Sequence, residues 1–137
     1  MDVTIRRAHY YNATVRDVPG EGFRVLTTLA KAGVSLLAFN AIPVGPEHTQ
    51  FALFADDTDQ LKQAASQAGL TLTGPQAAIL VQGDDELGTL AGIHEKLAEA
   101  GVNVFASSGV TDGRGGYGYI LYIRTERLED AGKALGI

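Results

Sequence analysis

Residues 15–40, VRDVPGEGFRVLTTLAKAGVSLLAFN, decide how the rest of the chain is read. The stretch opens on the end of an extended segment, which Asp17, Pro19 and Gly20 interrupt with turn chemistry. Phe23, Leu26, Leu29 and Ala30 then recur at helical spacing until Gly33 stops the helix, and an apolar run follows. This is a strand end, a tight loop, one amphipathic helix and a second strand. A shift of 68 residues places Asp17 on Asp85, Gly20 on Gly88, Leu29 on Leu97, Ala30 on Ala98, Gly33 on Gly101 and Val34 on Val102. The chain contains the unit twice.

Upstream, Val3, Ile5 and residues 10–15 read as extended because β-branched and aromatic residues dominate; one long strand or two short ones stays open. Downstream, residues 34–44 and 49–55 form a hairpin around Pro43, Gly45 and Pro46. Asp56, Asp57, Thr58 and Asp59 offer N-caps for a helix whose apolar face is Leu61, Ala64, Ala65 and Ala68, ended by Gly69. Residues 70–72 make a short closing strand, and Gly74 with Pro75 marks the module boundary. The first module, residues 1–74, is therefore βαββαβ with an extra N-terminal strand. The second, residues 75–137, has a strand at 77–82 and a helix on Leu87, Leu90, Ile93, Leu97 and Ala100. Strands at 102–110 and 117–123 follow, then a helix at 125–135 carrying Leu128, Ala131 and Leu135. It lacks a closing strand of its own. An unpaired edge invites aggregation, so residues 3–7 are expected to pair there and close the chain on itself.

The 137 residues, 45% hydrophobic and 20% charged, suit two small modules sharing a core and leave no uncharged run for a membrane span. The N-terminus MDVTIRRAHYYN has no secretory pattern, so the expected location is the cytoplasm. There is no cysteine, which excludes disulfides and thiol chemistry. The net charge of −5 without a dense basic run argues against a nucleic-acid partner, and no cofactor is expected.

Asp17, Pro19 and Gly20 before the first helix, LAKAGVSLLAFN after its start, and LAEAGVNVFASS at residues 97–108 carry a resemblance to a family. The two units resemble ACT domains, the small ligand-binding regulatory modules found in and beside enzymes of amino-acid metabolism. The likeness spans residues 10–135 and rests on the pattern and its duplication; GDDELG replaces the Asp-x-Pro-Gly loop in the second copy. It implies two α+β, ferredoxin-like βαββαβ modules in tandem, antiparallel sheets with helices on one face, paired side by side. It further implies an amino acid or similar ligand held where modules meet, and no catalysis. The positions that would contact this ligand are Asp17, Val18, Pro19, Gly20, Glu21 and Gly22 with Phe39 and Asn40, and Asp85, Glu86, Leu87 and Gly88 with Ser107 and Ser108.

Physical chemistry reaches the first loop independently. A helix N-terminus presents unpaired N–H groups and partial positive charge, and Gly20 and Gly22 let a carboxylate approach the backbone. Asp17 would pair with an ammonium and Asn40 would add a donor and an acceptor, whereas Glu21 opposes an anion at the same end. Each acidic residue is equally at home near a helix start without any ligand.

Other signals are weaker. Gly113, Gly115 and Gly118 fit G-x-G-x-x-G, yet they lead into a strand rather than a helix and read as a hairpin tip, or a flap. His9, His48 and His94 have no helical partner, and the acidic runs at 56–59 and 84–86 lack calcium-loop spacing. Tyr10 and Tyr11 point to opposite faces, which leaves one of them for a partner. The reading is a non-catalytic sensor, expected as a homodimer, that regulates another polypeptide. A structural oligomerisation module without ligand and a small enzyme of ferredoxin-like fold stay open as alternatives.

Overall fold

In the computed structural model, residues 3–137 are described. The order is β1 (Val3–Arg16), α1 (Glu21–Lys31), β2 (Leu36–Val44), β3 (His48–Ala55), α2 (Thr58–Gln67) and β4 (Thr73–Asp84). Then come α3 (Thr89–Glu99), β5 (Val104–Thr111), β6 (Gly116–Ile123), a single 3-10 turn at Thr125–Arg127 and α4 (Leu128–Leu135). They form two compact units, Tyr10–Pro75 and residues 3–9 with Gln76–Ile137.

In the Tyr10–Pro75 unit, β3 pairs antiparallel with β1 on one side and β2 on the other, so β2 is an edge strand. Alternate residues of the strands, Tyr11, Ala13, Val15, Phe51 and Leu53, share one buried cluster with Val25 and Leu29 of α1 and Leu61, Ala64 and Ala65 of α2. Both helices therefore cover the same face. Asp57 caps α2 by accepting the Gln60 amide at 3.1 Å. Gln60 in turn donates through Nε2 to the Ala32 carbonyl at the end of α1, at 3.0 Å.

The second unit repeats this plan. β6 pairs antiparallel with β4 and β5, β1 is the other neighbour of β4, and β5 is an edge. Ala77, Ile79, Val81, Tyr117, Leu121 and Ile123 share a core with Ile93 and Leu97 of α3 and Ala131 of α4. Val3 and Ile5 pack against that core, so the first half of β1 supplies this unit's fourth strand. The Arg7 guanidinium occupies the space a Cβ on Gly132 would need, which lets α4 lie close. The C-terminus of α3 is again held from the following helical segment, here by Arg127 donating to the Gly101 and Ala100 carbonyls at 3.1 and 3.4 Å.

The structure settles one point the sequence reading left open and departs from it at several others. β1 is one strand. Residues 70–72 form no strand, because the Leu70 amide is already used in donating to the Ala65 carbonyl at 2.9 Å, closing α2 behind the left-handed Gly69. Val34 and Val102 close α1 and α3 in the same way, and this is why β2 and β5 begin two residues later than their apolar runs. β4 runs through Pro75 instead of starting after it, which is tolerated near the beginning of a strand. On α1 the buried stripe is Val25 and Leu29, leaving Phe23 at 76% and Leu26 at 37% exposure, and Leu87 precedes α3 fully exposed. Finally, both tyrosines are buried: Tyr11 lies in the helix-side cluster, and Tyr10 packs on Phe54 with ring centroids 4.9 Å apart.

Candidate functional site

The two βα loops have one backbone. In the first, the Asp17 amide donates to the Glu47 carbonyl at 2.8 Å, Glu21 to Val18 at 3.3 Å and Arg24 to Gly20 at 2.9 Å. In the second, Asp85 donates to Gly115 at 2.7 Å, Thr89 to Glu86 at 3.2 Å and Gly92 to Gly88 at 3.0 Å, each pair displaced by the same 68 residues. Gly20 and Gly88 are the N-caps of α1 and α3, with φ of 90° and 88°. DELG at residues 85–88 thus reproduces the DVPG turn at residues 17–20, with Leu87 standing in for Pro19, because the left-handed glycine rather than the proline sets the path.

Neither helix has a side-chain cap, and nothing lies within 4 Å of where a Cβ would stand on Gly20 or Gly88. The Glu21 and Thr89 amides are used inside the loops, so the next amides of each helix are the ones left for an external acceptor. Asp17, Val18, Pro19, Gly20, Asp85, Glu86, Leu87 and Gly88 are exposed, and Glu21 and Gly22 are half-buried. The Glu21 carboxylate accepts from Arg24 Nε at 2.8 Å, so its opposition to a bound anion is offset by a cation on the same helix.

Phe39 and Asn40 do not join the loop within their unit. Asn40 pairs with Ala52, which pairs with Asn12, four residues before the end of β1. At ~3.3 Å per residue they sit on the order of 13 Å from the loop's start. Ser107 and Ser108 pair with Leu121 and Ile120, whose partners Ile79 and Leu80 lie at the same remove from Asp84. Each unit therefore carries two patches, a loop and a pair on its edge strand.

The Tyr117 hydroxyl is buried with no hydrogen-bond partner, and desolvation, then the charges of Tyr119, Asp84, Asp85 and Glu86, push its pKa upward. At the β5–β6 turn, Asp112 accepts the Arg114 and Gly116 amides, which hold its carboxyl below the ordinary value. This fixes the glycine tip from inside. Among the described residues no three metal-ligating side chains cluster, and no helix is long and apolar enough to cross a membrane.

Sequence reasoning missed two open clefts of the Tyr10–Pro75 unit. One, about 410 Å³, is lined by Tyr11, Lys62, Leu70, Leu72 and Pro75; the other, about 300 Å³, lies at the start of α1. Lys62 carries its ammonium 5.5 Å from the Tyr11 ring centroid.

No protein-family model matches the chain, and no curated protein does. Solved structures do. A protein from Bacteroides thetaiotaomicron superposes with a TM-score of 0.78 at 14% identity, over 96% of this chain and 90% of that one. The regulatory subunit of aspartate kinase from Thermus thermophilus, in its ligand-free form, gives 0.65 at 19% identity, over 99% and 95%. The fold is that of a tandem ACT protein. Aspartokinase alpha and beta subunits match the same ACT fold along the whole of this chain, with a TM-score of 0.62 at 20% identity and 99% of that chain covered. The Thermus thermophilus regulatory subunit is thus matched over nearly its full length.

Proposed function

We propose that the chain is a non-catalytic regulatory protein that binds a small metabolite, an amino acid, through its βα loops. The observation that carries this reading is the duplicated loop: two different sequences converge on one uncapped helix start with open space above the glycine. Solved structures of the same fold that are regulatory subunits support it. In the proposed site the remaining first-turn amides take the carboxylate, Asp17 takes the ammonium, and Asp85 does the same in the second unit.

A ligand that also touches Phe39 and Asn40, or Ser107 and Ser108, draws loop and edge strand from two copies of the chain, since within one unit they stand apart. A homodimer follows. The exposed Phe23 and Leu26 on α1, together with Leu37, Phe39 and Ile42 on the edge strand of the same unit, suit such a contact. Binding would then favour one subunit packing over another, and another polypeptide would read the difference. Nothing in this mechanism calls for a cofactor or for turnover.

Equilibrium dialysis against an equimolar mixture of the twenty amino acids tests the proposal. One amino acid should be enriched on the protein side, and Asp17→Ala should reduce that enrichment. Equal concentrations on both sides would refute it in favour of the structural module.

A further inference from the structure

The larger cleft of the Tyr10–Pro75 unit, about 410 Å³, falls within the range of small-molecule sites, which begin at about 300 Å³. Its lining divides by chemistry. Tyr11, Leu70, Leu72 and Pro75 supply apolar walls, and Lys62 and Ser66 of α2 supply the polar groups. Tyr11 and Leu70 belong to the core that α2 covers and Leu72 packs against it, so the apolar walls are an uncovered margin of that core, on the helix side of the sheet.

Lys62 and Ser66 are exposed and stand one turn apart on the same flank of α2. The Lys62 ammonium lies over the Tyr11 ring, which therefore holds the cation at the margin of the cleft that the ring helps to floor. Lys62 makes no ion pair among the described residues, and no carboxylate lines the cleft. The last carbonyls of α2 add little negative potential, because Ala64, Ala65 and Ser66 already accept the Ala68, Leu70 and Gly69 amides at 3.0, 2.9 and 3.3 Å. An apolar cleft is left with a single positive charge at its edge.

The repeat has no such pair. The Tyr11–Leu53 rung corresponds to Ile79–Leu121, and the bond from Leu70 to Ala65 that closes α2 corresponds to the one from Ile137 to Gly132, both at 2.9 Å. Ile79 therefore stands in the place of Tyr11, and Glu129 in the place of Lys62.

We infer that this cleft binds a small hydrophobic monocarboxylate, an aryl- or branched alkyl-substituted acid without an ammonium group, and that Ile79 and Glu129 deny the second unit an equivalent site. The carboxylate sits between the Lys62 ammonium and the Ser66 hydroxyl, with the apolar body on Tyr11, Leu70 and Leu72. An α-ammonium would meet Lys62 and find no carboxylate to receive it, so the cleft discriminates against zwitterionic amino acids. The inference does not rest on amino-acid binding at the loops.

The test is an amide NMR titration of the full chain, at neutral pH and constant ionic strength, with 3-phenylpropionate and separately with 4-methylpentanoate and 3-phenylpropylamine. Saturable shifts with the two acids are expected at Tyr11, Ser66, Leu70 and Leu72 and not at Ile79, Lys133 or Ile137, and the amine should leave all of them unmoved. Lys62→Glu, which installs the repeat's own residue, should weaken binding about tenfold by turning attraction into like-charge repulsion, while Lys62→Arg should keep most of it. Ser66→Phe fills the cleft from an exposed helix position without touching the charge and should abolish the shifts. Tighter binding of 3-phenylpropionate would identify an aryl acid as the ligand class, and tighter binding of 4-methylpentanoate a branched alkyl acid. No saturable shift with either acid would overturn the proposal, as would equal binding of the amine or undiminished binding in Lys62→Glu or Ser66→Phe. Because neither acid carries an ammonium and the amides followed lie outside both βα loops, failure of loop binding and failure of this site give separate signatures.

Discussion

Gly20 and Gly88 show what a single residue contributes to this fold. Their φ values of 90° and 88° lie in the left-handed region, and no neighbour approaches the missing Cβ, so an alanine there suffers from backbone strain alone. Gly20→Ala and Gly88→Ala should each cost about 1–2 kcal/mol in denaturant melts; a loss under about 0.3 kcal/mol at either would contradict this backbone account. Tyr117 is the opposite case, a polar group whose partner is missing. Tyr117→Phe removes a buried hydroxyl that makes no hydrogen bond, so the melting temperature should stay level or rise. A clear fall would mean that the hydroxyl has a role in the folded chain. The glycines were legible because only that residue type suits a turn before a helix; Tyr117 was not, since burial of its hydroxyl depends on packing between β6 and the core. Leu87 misled for a related reason. It fits the apolar period of α3, yet the helix starts at Thr89 and leaves it in the turn, fully exposed.

At the level of elements, helix stops were readable, and strand starts were not. Gly33, Gly69 and Gly101 end their helices as the sequence indicates, but the following amides are taken back into the helix ends, which moves or removes the next strand. The orientation of α1 was likewise undetermined, because Phe23 and Leu26 offer an apolar stripe beside that of Val25 and Leu29, and only the sheet chooses between them. The β5–β6 hairpin carries a pH prediction. Asp112 has its pKa lowered by two backbone amides, so its support of the turn is complete above the ordinary value of 3.8 and is lost as pH falls through the lowered folded value. Protection of the Gly116 amide, its exchange rate relative to the intrinsic rate at each pH, should fall over that acid range in the parent chain and stay level in Asp112→Asn. Identical profiles in the two would show that the carboxylate does not hold the tip. Farther along the same hairpin, the ring of Tyr119 covers Gly109, where any added Cβ would collide with it.

Across the whole molecule, the duplication was visible in six matched positions, and the structure extends it to hydrogen bonds, glycine conformations and ladder rungs. The second unit's missing strand was legible as a deficit, and Val3 and Ile5 pack where that deficit lies. Deleting residues 1–8 should strip Val3 and Ile5 from this core and bare one side of β4, leaving a less stable chain that self-associates; a deletion variant as soluble and stable as the parent would contradict the assignment. The candidate site was only half legible. Composition and turn chemistry located both loops, but the separation of each loop from its edge-strand pair depends on ladder register, which no local pattern encodes. The measurement that bears most directly on the central claim is a thermal-shift panel of the twenty amino acids, run on the parent chain and on Gly20→Ala and Asp17→Ala. Regulation by metabolite binding requires one or a few amino acids to raise the melting temperature saturably in the parent and far less in the loop variants. A panel in which no amino acid shifts the parent, or in which the loop variants respond just as fully, would contradict it.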